Sequence, residues 1–217
     1  MIDFTNAHSV FVVGLIVGIT LNSLMLRTLF FPPFRIWPTP GSGTWQSVTF
    51  WTLFRAGMVL TFVIAILDWN SAGLVDLTRL IIGLPLFLVG FGITVFGYFN
   101  LGLGNTYCGS DGLVSHGLYR FSRNPQYASS ILGLIGTVIM ADSWLTIPLA
   151  FSASCVYMLM ALTEEKWLED RYGATYEEYK QRTAALHPRS LVVITIPAEP
   201  ARHLVRGSCR LLLGCSS

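Results

Sequence analysis

The sequence predicts an all-α, polytopic membrane protein with about five transmembrane helices, the last two forming a helical hairpin, and a cytosolic C-terminal helix. Hydrophobic residues make up 53% of the chain and charged residues only 12%, about half the charge of an ordinary soluble domain. The mean hydropathy is +0.58. Runs of roughly twenty residues with almost no Asp, Glu, Lys or Arg recur along the chain, long enough to cross a hydrocarbon core. This composition leaves too little polar surface for a soluble globule. It also excludes disorder, collagen and a nucleic-acid-binding tail.

The first run, Phe4 to Leu26, gives a span at about 8–30. The N-terminal residues MIDFTNAHSV carry no basic n-region of a signal peptide, so this helix is expected to stay in the protein. The second span, about 49–67, is interrupted only by Arg55. In the third, about 79–100, Pro85 is expected to introduce a kink, and Gly83, Gly90, Gly92 and Gly97 allow close helix packing. The fourth and fifth, about 126–141 and 144–163, are separated by Ala141-Asp142-Ser143. Asn22, Arg27 and Arg55 are expected to snorkel toward the headgroups. The four cysteines form no CxxC pair and read as small apolar fillers.

Five spans place the chain ends on opposite faces. The C-terminal face then holds Arg27, Arg35, Arg120, Arg123 and every basic residue from Lys166 onward, whereas the N-terminal face holds only Arg79, with Asp3, Asp68, Asp76 and Asp142. The positive-inside rule puts the C-terminus in the cytoplasm and the N-terminus on the opposite face.

Two segments on the basic face concentrate chemistry-bearing residues. The first, Gly109 to Tyr127, reads GSDGLVSHGLYRFSRNPQY. Pro125 suits the first position of the fourth helix, whose exposed N–H groups favour an anionic or electron-rich ligand group. The second, Glu164 to Arg189, reads EEKWLEDRYGATYEEYKQRTAALHPR. Leu168, Tyr172, Tyr176 and Tyr179 follow helical spacing and can pack one side on protein or lipid. Glu164 and Glu165 stand at the membrane boundary, where a carboxylate is costly without a partner. Arg120 and Arg123 of the first segment are the natural partners. Adjacent residues on a helix point about 100° apart, which argues against a shared-proton dyad. No GxSxG, HExxH, Walker loop or two-Cys/two-His set is present, and no metal is expected.

The order GLVSHGLYRFSRNPQY, helical hairpin, EEKWLEDRYGATYEEYKQR resembles the integral membrane methyltransferases, the group of the isoprenylcysteine carboxyl methyltransferases and phospholipid methyltransferases. The resemblance covers about residues 80–188. It implies a membrane methyltransferase domain over 1–189. The C-terminal tail at 190–217 lies outside the resemblance; Arg202, Arg206 and Arg210 recur every fourth residue, so it reads either as a basic interfacial helix or as frayed disorder. The resemblance further implies S-adenosylmethionine as cofactor, S-adenosylhomocysteine as product, and a lipid or other lipophilic acceptor entering from the bilayer. Carried over by position, Asp111, Gly112, Leu113, Val114, Tyr119, Asn124, Pro125, Gln126, Tyr127 and Glu164 bind the cofactor. Arg123 and Met160 border the acceptor, and His116 or Glu165 accepts a proton when the acceptor is an amine. The chain departs from the carboxyl methyltransferases in reading Arg123-Asn124-Pro125 where those have R-H-P, and in carrying Met160 where they have an Arg. Without that Arg, bidentate capture of a carboxylate is lost. The rival readings are a carboxyl O-methyltransferase of the isoprenylcysteine type, an NADPH-dependent membrane reductase of related architecture, and a non-enzymatic scaffold. The oligomeric state is not legible.

Overall fold

A computed structural model describes residues 4–31, 33–101 and 115–185. The chain is all-α in these segments. Its helices are α1 (Phe4–Phe30), α2 (Trp45–Leu67), the short α3 (Asp76–Thr78), α4 (Leu84–Leu101), α5 (Pro125–Ala141), α6 (Thr146–Tyr172) and α7 (Ala174–Arg182). A π-helical turn, Arg79–Gly83, joins α3 to α4, and a 3-10 turn, Gly117–Arg120, precedes α5. Among the described residues the one β-type pairing is an isolated parallel bridge between Ser122 and Ala184. The tail at 190–217 lies outside the described residues.

Four stretches are long and apolar enough to cross a membrane: Ala7–Phe30, Trp45–Leu67, Asp76–Phe99 and Thr146–Tyr172. The helix α5 is apolar but has only 17 residues, about 25 Å at 1.5 Å per residue, short of the ~30 Å core. By contrast α6 has 27 residues and continues past the span expected at 144–163. Nothing between Leu162 and Tyr172 breaks a helix. It stops at Gly173, whose φ of +51° suits a residue without a Cβ, and whose N–H donates to the Glu169 carbonyl at 2.9 Å. Glu164 and Glu165 therefore ride on the last span itself. The π-helical turn ends two residues before Pro85, which has no N–H to donate.

The antiparallel pair α4 and α5 packs backbone to backbone. A Cβ on Gly90 would lie 2.3 Å from the Gly133 nitrogen, one on Gly136 2.2 Å from the Phe87 nitrogen, and one on Gly83 2.8 Å from the Met140 nitrogen. A Cβ on Gly97 would meet the Gln126 side chain at 2.5 Å. Every facing pair in this set has residue numbers with the same sum, as a straight antiparallel seam requires. Along that seam Thr94 bonds Ser129 and Ser130 at 2.8 and 3.0 Å. Small residues here remove the side-chain layer that would otherwise hold two helices 8–10 Å apart.

The helix α1 packs on α6. Asn22 does not snorkel. It donates to the Ser152 carbonyl at 3.1 Å and hydroxyl at 3.0 Å, because an amide in a span is satisfied most cheaply by a neighbouring helix. The guanidinium groups of Arg27 and Arg55 lie over the rings of Phe34 and Trp51, at 4.6 and 5.3 Å. At the hairpin end, one oxygen of Asp68 accepts from Ser71, Ser143 and the Leu145 N–H. Arg79 is buried there, donating to Asn70 and the Met140 carbonyl. This polar knot ties the α2–α3 connection to the α5–α6 turn.

Candidate functional site

The candidate site lies at the other end of the bundle, where α5 begins and α6 runs on past residue 163. Gly117, with φ of +60°, opens the 3-10 turn. The Arg123 N–H donates to the Ala184 carbonyl at 2.8 Å, so the segment before α5 is tied to the residues after α7. The Tyr179 hydroxyl donates to the Tyr119 carbonyl at 2.6 Å. The loop before α5 is thus clasped by the chain that follows α6. Pro125 occupies the first position of α5, as expected, but Asn124 makes no side-chain cap. Its amide instead donates to Glu165 at 3.2 Å.

The two carboxylates part company as helical geometry requires. Glu165 is buried, with Arg123 at 3.3 Å on one oxygen and Asn124 on the other. Arg123 is itself only 6% exposed. Glu164 accepts from the Tyr127 hydroxyl, and the Trp37 side chain lies against it. The Tyr127 ring neighbours that of Tyr157, with centroids 6.0 Å apart. Burial, then the nearby charge of Glu164, holds the Tyr119 phenol well above its ordinary value, so it serves as a neutral hydrogen-bonding group. Burial raises Tyr176 as well, and pushes Tyr179 up to about 12.

The structure brings Tyr119, Asn124, Gln126, Tyr127 and Glu164 into one neighbourhood, with Arg123 and Glu165 beside them. Pro125 and Gln126 are buried at the start of α5, and the Gln126 amide nitrogen has no hydrogen-bond partner among the described residues. His116 is exposed at the rim. Met160, one turn before Glu164, is 3% exposed within the apolar core. Asp111, Gly112, Leu113 and Val114 lie outside the described residues. Arg120 pairs with neither Glu164 nor Glu165 in any contact of this site, and its guanidinium stands over Phe121 at 4.8 Å.

Sequence reasoning missed Trp37 and Tyr157. Tyr157 stands seven residues before Glu164, two turns along one helix face, so the period alone signalled it. Trp37 sits in the loop after α1, and no local pattern pointed to it. A carboxylate set among tyrosine and tryptophan rings can hold an organic cation or a polyol: the charge attracts the cation, the ring faces favour it, and the carboxylate accepts hydroxyl hydrogen bonds.

The family model described as phospholipid methyltransferase matches residues 78–175. That segment runs from the π-helical turn through both carboxylates to the start of α7. Over that segment the chain is similar to the membrane phospholipid methyltransferases. The chain is also similar to two curated proteins. A phosphatidylethanolamine N-methyltransferase of Zygosaccharomyces rouxii is 34% identical over 71 residues, 32% of this chain and 8% of that protein. The cobalt-zinc-cadmium resistance protein CzcN of Cupriavidus metallidurans is 33% identical over 78 residues, 36% of each. The matches thus span under two fifths of either relative. No solved structure matches the chain. Among the described residues no group of His, Cys, Asp or Glu is arranged to hold a metal ion.

Proposed function

We propose that this protein transfers a methyl group from S-adenosylmethionine to a lipid or other lipophilic acceptor drawn from the bilayer. The observation that carries the reading is the Tyr127–Glu164 hydrogen bond, placed inside the methyltransferase segment and flanked by the Tyr157 ring. Glu164 takes the hydroxyl or ammonium groups of the cofactor. Tyr127 fixes the carboxylate and offers a ring face to the sulfonium.

Methyl transfer is a displacement at carbon. The bond from methyl to sulfur breaks as the bond to the acceptor forms, and the sulfur keeps the electron pair. Rate comes mainly from positioning and from exclusion of water. A carboxylate held against the sulfonium stabilises the reactant, so Glu164 is assigned to binding. Both Glu165 oxygens are engaged by Arg123 and Asn124, which makes Glu165 a structural anchor. His116 remains the group that takes a proton from an amine acceptor. Met160, packed in the core, shapes the acceptor side through its neighbours. The distribution of basic residues supports a cytosolic cofactor site.

The test is calorimetric titration of the detergent-purified chain with S-adenosylmethionine, with Glu164→Ala and Tyr127→Ala in parallel. Saturable binding that both substitutions weaken is expected. A folded preparation that takes up no cofactor would overturn the reading and favour the scaffold or reductase alternatives. Alanine at His116 is expected to lower turnover at saturating cofactor only for an amine acceptor.

A further inference from the structure

The loop between α1 and α2 lies outside the methyltransferase segment at 78–175, yet it folds back into the bundle. The Phe34 N–H donates to the Phe31 carbonyl at 2.8 Å, and the Ile36 N–H donates to the Thr28 hydroxyl at 3.0 Å. These bonds turn the chain inward, and Ile36 and Trp37 become buried, at 0% and 3% exposure. The Trp37 ring stacks on Phe50 with centroids 4.6 Å apart and meets Trp51 edge-on at 5.9 Å. From Phe50 the aromatic contacts continue through Phe54 and Tyr157 to Tyr127, at 5.7, 5.6 and 6.0 Å. A ring wedged this way has its edge direction fixed by packing.

The polar edge of that ring is conspicuous. The indole nitrogen is fully buried and closes no hydrogen bond of good geometry. A buried N–H without a partner is costly, and indole can only donate. The acceptor beside it is Glu164, which Tyr127 approaches from α5. A donor held rigid, dry and unspent next to the carboxylate is what a site needs when that carboxylate must settle into a new rotamer as a ligand arrives.

We infer that Trp37 is a positioning residue for the site: its indole N–H is the second donor to Glu164, complementing Tyr127 and aiming the carboxylate at the bound cofactor. The N-terminal half of the chain therefore completes the site and is more than an anchor. This rests on the proposed cofactor reading for its functional consequence, but the Trp37–Glu164 contact itself does not.

The experiment uses the full chain and three variants, Trp37→Phe, Glu164→Gln and the double variant. Each is titrated with S-adenosylhomocysteine and followed by thermal unfolding. Trp37→Phe keeps an aromatic ring and removes the donor. It is expected to weaken binding about tenfold, the worth of one hydrogen bond to a charged group. In the double variant it is expected to add almost nothing to Glu164→Gln, since the two share one interaction. A purely structural tryptophan would lower the unfolding midpoint equally in both backgrounds and leave affinity intact, and that result overturns the inference. Should Trp37→Phe fail to fold, indole N–H resonances of the wild type and Glu164→Gln decide. One of the six tryptophans is expected to shift markedly, and six unchanged signals would refute the contact. A wild type that binds no S-adenosylhomocysteine sinks the cofactor reading alone, while the unfolding cycle and the resonances still judge Trp37.

Discussion

Tyr127 on α5 donates its hydroxyl to the carboxylate of Glu164 on α6, so the two helices of the hairpin meet in a polar contact at the end opposite their turn. The bond joins a residue from each of the two segments that the sequence singled out. Tyr127→Phe is expected to leave the helices intact and weaken S-adenosylmethionine binding about tenfold, as loss of a bond to a charged group should. Calorimetry against the wild type checks it. Equal affinity would remove Tyr127 from the binding set.

The Arg123–Glu165 pair is expected to behave differently. Arg123→Ala strands a carboxylate that is 7% exposed, and breaking a buried pair costs about 3–5 kcal/mol. Glu165→Gln in the same chain removes the stranded charge and should restore most of that loss. Thermal unfolding of the two variants in one detergent decides. A double variant no more stable than Arg123→Ala would mean that the pair is not the source of the cost.

The seam between α4 and α5 predicts a sharp contrast between two glycines on one helix. A Cβ on Gly90 would fall 2.3 Å from the Gly133 nitrogen, whereas one on Gly92 would meet nothing within 4 Å. Gly90→Ala forces backbone apart and should cost at least the roughly 1–3 kcal/mol of overpacking. Gly92→Ala should be neutral or slightly stabilising, since alanine is the better helix former by about 1 kcal/mol. Comparable unfolding midpoints for the two variants would contradict the register.

Alkaline pH should loosen the clasp between α7 and the loop before α5. Burial pushes Tyr179 up to about 12 from its ordinary 10.0. A raised acid is protonated in the folded chain while the unfolded chain has already lost its proton. Stability is therefore full below pH 10 and falls as pH rises toward 12. Tyr179→Phe removes the bond to the Tyr119 carbonyl and should flatten that fall. Unfolding midpoints from pH 8 to about 11.5 test it, and parallel profiles for variant and wild type would count against the clasp.

Helical period and hydropathy are local properties, and they made much of this protein readable in one dimension. The spans, the start of α5 at Pro125, the inward face of Tyr176 and Tyr179, and the divergence of Glu164 from Glu165 all follow from composition, capping and the 3.6-residue repeat. Gly83, Gly90 and Gly97 of the α4–α5 seam were visible too, because only small residues let backbones touch, whereas Gly92 faces open space and Gly133 and Gly136 were missed.

Partner choice was not local. Whether Arg123 would meet Glu164 or Glu165 depended on the rotation of α6 against α5, which packing along the whole helix pair sets. Asn22 looked like a residue seeking the headgroups until the fold placed Ser152 opposite it. Trp37 is far from Glu164 in sequence, and only the return of the loop after α1 puts its indole edge beside the carboxylate. The sequence by itself determined which segments are apolar and long enough to cross a membrane, because burial in lipid acts on each segment alone. The tertiary structure decided which donor serves which carboxylate, because a hydrogen bond needs two groups within about 3 Å and no one-dimensional pattern specifies that distance.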